Sequence, residues 1–183
     1  SLHFTVENIR SWQDHGVKVL PLTLHVGLGT FLPVKTENLL DHKMHNEWVQ
    51  IPKATLRGVK ETLQSGGRVW ALGTTVVRSL ESWAHGLLPQ DTEGNARGPT
   101  ALFITPGFDF RVVSGLLTNF HQPGSTLFAL VAAFAGSEAA GIISTKETYQ
   151  WAMERRFRLF SYGDLSIWTR AKKQYNRHKM ENL

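Results

Sequence analysis

Three short stretches concentrate side chains that can move protons. TLHVGLGTF (23–31) sets His25 ahead of two glycines and a threonine, and DHKMHNE (41–47) holds two histidines, an aspartate, a lysine and a glutamate within seven positions. TNFHQPGSTL (118–127) places His121 two residues after Asn119. Imidazole titrates near neutral pH, and a carboxylate such as Asp41 or Glu47 can fix its tautomer. His121, where a strand ends, is the best placed of them for acid–base work. A lone histidine in an apolar strand, as His25 is, is more often a hydrogen-bonded core residue. His42 and His45 stand three apart, close to metal-ligand spacing, but no third ligand has a known position, so acid–base or structural duty ranks above zinc. SYGD (161–164) groups a hydroxyl, a phenol and the Asp164 carboxylate around one glycine, which in isolation reads as a turn.

Hydroxyls and glycines recur beside these groups. LHV-GLGTF, WALG-TTVVR and TNF-HQPGSTL each pass from a strand-like run through glycine toward a helix start. In open α/β sheets ligands sit beyond the carboxyl ends of the strands, against exposed backbone N–H groups. Gly27 and Gly29 allow backbone to approach a ligand, while Thr30, Thr74, Thr75, Ser125 and Thr126 supply donors and acceptors. GLGTF lacks the third glycine and following helix of the dinucleotide fingerprint. Any one corner alone is a cap and a tight bend. Three of them predict a shared pocket wall.

The elements that must carry these groups follow from periodicity and breakers. Residues 5–15 predict an amphipathic helix with Thr5 as N-cap, ending at Gly16. Strands are expected over 17–26 (with Pro21 as a blemish), EWVQI, 68–73, 101–106 and 112–120. Helices are expected over 53–65, 74–84, 125–136 and 146–156, with 85–99 as a loop and 157–168 as a final strand or hairpin. The alternation predicts an α/β fold, a mixed, largely parallel sheet flanked by helices, over residues 1–168, followed by a basic tail, 169–183.

Composition agrees with one globular domain: 42% of the 183 residues are hydrophobic and 19% charged. The absence of cysteine excludes disulfides, thiolate metal sites and cysteine nucleophiles, and it suits a reducing compartment. The apolar run Leu127–Ala135 is too short to span a bilayer and no signal peptide opens the chain, so a soluble cytoplasmic protein without a membrane partner is expected. Residues 1–150 balance 12 basic against 12 acidic side chains, whereas 151–183 hold 8 against 3 and carry the whole net charge of +5. Such an end attracts polyanions, nucleic acid above all, although a solvated surface helix explains the charge as well.

TLHVGLGTF, DHKMHNE, GTTVVRSLE (73–81), PGF (106–108), LLTNFHQPGSTL (116–127) and FRLFSYGD (157–164), with SLHFT at 1–5, follow the order and spacing of one family. Up to about Trp168 the chain resembles the S-adenosylmethionine:tRNA ribosyltransferase-isomerases of queuosine biosynthesis. That family is roughly twice as long, so the resemblance implies a C-terminal portion without the upstream part of the α/β domain and its inserted β-barrel. It implies transfer and isomerisation of the ribosyl moiety of S-adenosylmethionine onto 7-aminomethyl-7-deazaguanine at the tRNA wobble position. Epoxyqueuosine forms, and adenine and methionine leave. S-adenosylmethionine is a consumed substrate, with no metal or nicotinamide cofactor. The sulfonium acidifies the C5′ protons, and a general acid helps adenine depart. On this reading His25, His45 and His121 transfer protons, with Asp164 as orienter or alternative base. Gly27, Gly29, Thr30, Thr74, Thr75, Arg78, Asn119, Ser125 and Thr126 hold the ribose, methionine and deazaguanine. Arg155, Arg156, Arg158, Lys172 and Lys173 meet tRNA phosphates. The alternatives are a non-catalytic tRNA-binding fragment and another nucleotide-using α/β transferase.

Overall fold

The computed structural model describes residues 3–27, 44–136 and 138–170. Helix α1 (Val6–Asp14) starts where expected: Thr5 accepts the Asn8 backbone N–H, and the Asn8 side chain answers to the Thr5 backbone, a reciprocal cap. Strand β1 is only Thr23–His25. Its predicted first half is not strand, because Pro21 interrupts it and the Pro21 carbonyl takes the Thr55 hydroxyl instead. Strand β2 (Glu47–Ile51), helix α2 (Lys53–Gln64), strand β3 (Val69–Leu72) and helix α3 (Thr74–Ala84) match their periodic patterns. Two expectations fail between α3 and strand β5 (Val113–Asn119). Part of the supposed loop is strand β4 (Ala96–Thr100), and ALFITP forms no strand. Leu102 shows the reason for the second: its N–H goes to the Thr100 hydroxyl and its carbonyl to the Arg78 guanidinium, leaving neither for a ladder.

Helix α4 (Thr126–Ala135) is capped by Ser125 and buried on nearly every side. Helix α5 (Glu138–Glu154) begins eight residues before the predicted 146, and strand β6 (Leu165–Thr169) follows a short 3-10 turn. No single helix among the described residues is long and apolar enough to cross a membrane.

The fold is mixed α/β, as expected, but the strands form two three-stranded sheets, and parallel pairing among described strands is confined to β3 and β5. The first sheet, β1-β2-β4, is antiparallel throughout, with the proline-bearing β4 at its edge, where a missing N–H is tolerated. In the second, β5 lies between β3 and an antiparallel β6. The main core joins Val49 and Ile51 of the first sheet to Ala71 and Leu116 of the second through α2, α3 and α4, and a smaller one packs Phe120 and Phe128 on Tyr149. Among the described residues the other face of the second sheet is left partly exposed. There Trp70 lies flat over Gly115, where no Cβ fits, and Leu72, Leu117, Asn119 and Leu165 continue the same face.

A buried carboxylate sets β5 in place. Glu81, on α3 and inaccessible to water, accepts the backbone N–H groups of Val112 and Val113 on Oε1 at 3.0 and 2.8 Å, and of Arg111 on Oε2 at 2.8 Å. Burial pushes this carboxyl above its usual value against the pull of the three donors. The folded chain therefore keeps the Glu81 proton to higher pH than the unfolded one. Its contribution is full below the unfolded pKa near 4.5 and is lost as pH rises through the raised native value. Glu81→Ala strands two buried donors and a partly buried one and should cost about 3 kcal/mol in urea unfolding. Glu81→Gln, which keeps the Oε1 acceptor, should cost less and flatten the pH dependence above 4.5.

Candidate functional site

An open cleft of about 200 Å³ sits where the open face of the second sheet meets the carboxyl ends of β3 and β5. Its walls are Leu72 and Gly73 leaving β3, Leu117, Thr118 and Asn119 ending β5, Leu165 starting β6, and His3 and Phe4 ahead of α1. Gly73 is required at its corner: its φ of 103° lies in the left-handed region, and its N–H reaches the Leu117 carbonyl at 2.8 Å as the chain turns into α3. Phe4 is held edge-on against Trp12, ring centroids 4.9 Å apart, so α1 carries the His3–Phe4 step to the cleft.

His3 Nε2 lies 3.0 Å from the Gly163 carbonyl and 3.2 Å from the Asn119 amide nitrogen. A carbonyl only accepts, so Nε2 donates to Gly163, and the Asn119 amide then turns its oxygen toward the ring. Asp164 follows Gly163. The Arg158 backbone N–H, at 2.8 Å, and then its guanidinium, at 3.1 Å, hold the Asp164 carboxyl below the usual carboxylate range, with a charged His3 adding to the effect. An imidazole, an amide and an ionised carboxylate thus gather at one end of the sheet.

A second polar cluster lies between the sheets. Glu47 on β2 is fully buried; its Oε1 accepts the Gly27 N–H at 2.9 Å and its Oε2 pairs with Arg78 Nη1. Arg78 Nε donates to the Leu102 carbonyl at 3.1 Å, and Nη2, also buried, has no hydrogen-bond partner among the described residues. Arg78, expected to hold substrate, is the counter-ion of Glu47, whose other oxygen holds Gly27.

Of the other expected residues, Gly73's neighbour Thr74 is buried and Thr75 half-buried, while Asn119 lines the cleft. Ser125 caps α4 and Thr126 is buried behind it. His25 on β1 and His45 before β2 are exposed and do not line the cleft. His121 is turned inward: Nε2 lies 2.8 Å from the Thr118 hydroxyl, and its backbone N–H donates to the Tyr149 hydroxyl at 2.9 Å. Burial pushes its imidazole down to about 4 and the Tyr149 phenol up to about 12. Arg155 stacks over Trp151 at 4.3 Å, exposed Arg156 turns the chain out of α5 with φ 59°, and Arg158 is engaged with Asp164. Gly29, Thr30, Asp41, His42, Lys172 and Lys173 lie outside the described residues. His3, Phe4 and Glu47's grip on Gly27 were not anticipated. The one signal for His3 was its place in SLHFT.

Because His121 is neutral in the folded chain and charges in the unfolded one, its contribution is full above the unfolded pKa of 6.5 and lost as pH falls toward 4. The unfolding free energy from denaturant titrations should drop between pH 6.5 and 4, by roughly 2–3 kcal/mol in this group's share, and His121→Gln should remove most of that slope.

Strand tips, a left-handed glycine corner and a small cleft lined by both apolar and polar residues mark one end of a mixed α/β domain. The chain belongs to the queuosine biosynthesis protein family, whose model matches residues 1–167. It is 49% identical over 166 residues to the S-adenosylmethionine:tRNA ribosyltransferase-isomerase of Thermotoga maritima, covering 91% of this chain and 47% of that protein. The protein of the same name from Polynucleobacter necessarius is 48% identical over 163 residues, 89% of this chain and 43% of the relative. The crystal structure of the S-adenosylmethionine tRNA ribosyltransferase from Thermotoga maritima superposes with a TM-score of 0.71 at 42% identity, over 91% of this chain and 50% of that one. The chain spans about half the length of the relatives it matches.

Proposed function

We propose that this chain carries the carboxyl-terminal part of an S-adenosylmethionine-dependent tRNA ribosyltransferase-isomerase. The reaction moves and rearranges the ribosyl group onto 7-aminomethyl-7-deazaguanine at the wobble position, giving epoxyqueuosine, adenine and methionine, in the cytoplasm. S-adenosylmethionine is consumed as a substrate. The observation that carries the reading is the cleft at the ends of β3 and β5, which Gly73 and Asn119, from two of the family's motifs, both line. At about 200 Å³ this cleft is smaller than the roughly 300–1,000 Å³ of ordinary ligand sites. It suits one moiety of the substrate.

On this reading the Gly73–Thr75 corner and Asn119 bind ribose hydroxyls, and the Asp164 carboxylate, next in sequence to the cleft's Leu165, orients or accepts a proton. The Glu47–Arg78 pair fixes Gly27; Gly27, Gly29 and Thr30, with Ser125 and Thr126, complete the binding set of this reading. His25 and His45 remain proton-transfer groups of this reading. His121, held neutral, contributes as an uncharged imidazole. Arg155 and Arg156, with Lys172 and Lys173, face tRNA phosphates, and Arg158 is divided between phosphate and Asp164.

Incubating the chain with tRNA and S-adenosylmethionine should release adenine, read by chromatography. Binding of tRNA without adenine would favour the non-catalytic module, which the half-length span also suits. A large thermal shift with a phosphoribosyl donor and none with S-adenosylmethionine would favour the other transferase. tRNA affinity should fall with salt. Neutralising Arg155, Arg156, Arg158, Lys172 and Lys173 should reduce the log–log slope by about 0.7–0.9 for each phosphate that no longer meets a cation. A slope untouched by all five changes would remove them from the interface.

A further inference from the structure

We propose that His3 is a proton-transfer residue of this site, the base that takes a C5′ proton from bound S-adenosylmethionine. The inference rests on the S-adenosylmethionine reading above. Among the described residues His3 is the one histidine that lines the cleft; His25, His45 and His121, to which the sequence assigns proton transfer, do not line it. Its ring is fixed rather than free to swing, since Nε2 donates to the Gly163 carbonyl at 3.0 Å with the Asn119 amide at 3.2 Å. In a neutral imidazole with Nε2 protonated, Nδ1 carries the lone pair and is the basic atom. The same contacts prepare the ring for charge. Once Nδ1 takes a proton, the Gly163 carbonyl stabilises the Nε2–H of the imidazolium, and Asp164, kept ionised by Arg158, lies close enough to interact with that charge.

In the step, the C5′–H bond breaks and an Nδ1–H bond forms. The electron pair stays on C5′, where the neighbouring sulfonium stabilises it, and no oxidant, reductant or further reactant enters. This is the division of labour of a histidine base with a carboxylate behind it, assembled from three distant parts of the chain.

The test reads the proton step without requiring adenine to leave. S-adenosylmethionine is bound to the chain in D2O and deuterium uptake at C5′ is followed by mass spectrometry, with affinity measured by calorimetry. The wild type should exchange C5′ hydrogens at least about 100-fold faster than free S-adenosylmethionine. His3→Gln, which keeps a donor for Gly163, should bind within about threefold of wild type yet lose that acceleration. In the wild type, ligand should also shift the imidazole resonances that disappear in His3→Gln, a readout independent of how that variant folds. Ligand binding with no acceleration, acceleration that survives His3→Gln, or unmoved His3 resonances while the Gly73 and Asn119 amides shift would each overturn the His3 assignment alone. No calorimetric binding of S-adenosylmethionine by the wild type would overturn the functional reading together with it.

Discussion

The Glu81 carboxylate, sealed from water on α3, collects the N–H groups of Arg111, Val112 and Val113 where the chain turns into β5. At the opposite end of the same helix, the Gly73 N–H reaches the Leu117 carbonyl farther along that strand. Helix α3 thus grips β5 at two points, and β5 is the central strand from which β3 and β6 take their registers. Since the cleft is framed by the ends of β3 and β5 and the start of β6, its shape depends on this grip. Three N–H groups donated into a dry interior are costly to leave unpaired, which makes the arrangement stiff.

Helix α3 also ties the two sheets together. Arg78, one turn before Glu81, reaches the other way, to Glu47 on β2 and to the Leu102 carbonyl. A buried ion pair adds little net stability against an apolar substitute, but removing one partner leaves a bare charge. The pair therefore acts as a spacer of fixed geometry, with Gly27 hung from the second Glu47 oxygen. One helix presents both polar clusters, one to each sheet.

Much of this was legible in the chain. EWVQI and TTVVRSLESWA coincide with β2 and α3 residue for residue, because clean alternation in one and helical spacing in the other leave little ambiguity. ARGPT hid its strand behind a glycine and a proline, residues that an edge position next to β2 accommodates and local propensity does not foresee. Asn119 was named from its corner, and the WALG-TTVVR corner brings Gly73 to the same cleft. His3 was not, since its partners Asn119 and Gly163 lie 116 and 160 residues away and only the folded chain brings them within reach. Arg78 was named from the resemblance and His121 from its place at a strand end; in the fold both are buried against partners the sequence does not show, the first a carboxylate, the second a hydroxyl.

Where α5 stops, Arg156 adopts the left-handed backbone that helix ends usually reserve for glycine, while the Phe157 N–H closes back on the Ala152 carbonyl. A side chain in that conformation costs roughly 1–2 kcal/mol. Glycine there would relax the bend and, in the same stroke, delete a cation from the most positive end of the molecule. At this one position, ease of folding and strength of charge draw in opposite directions, and the chain has settled for charge.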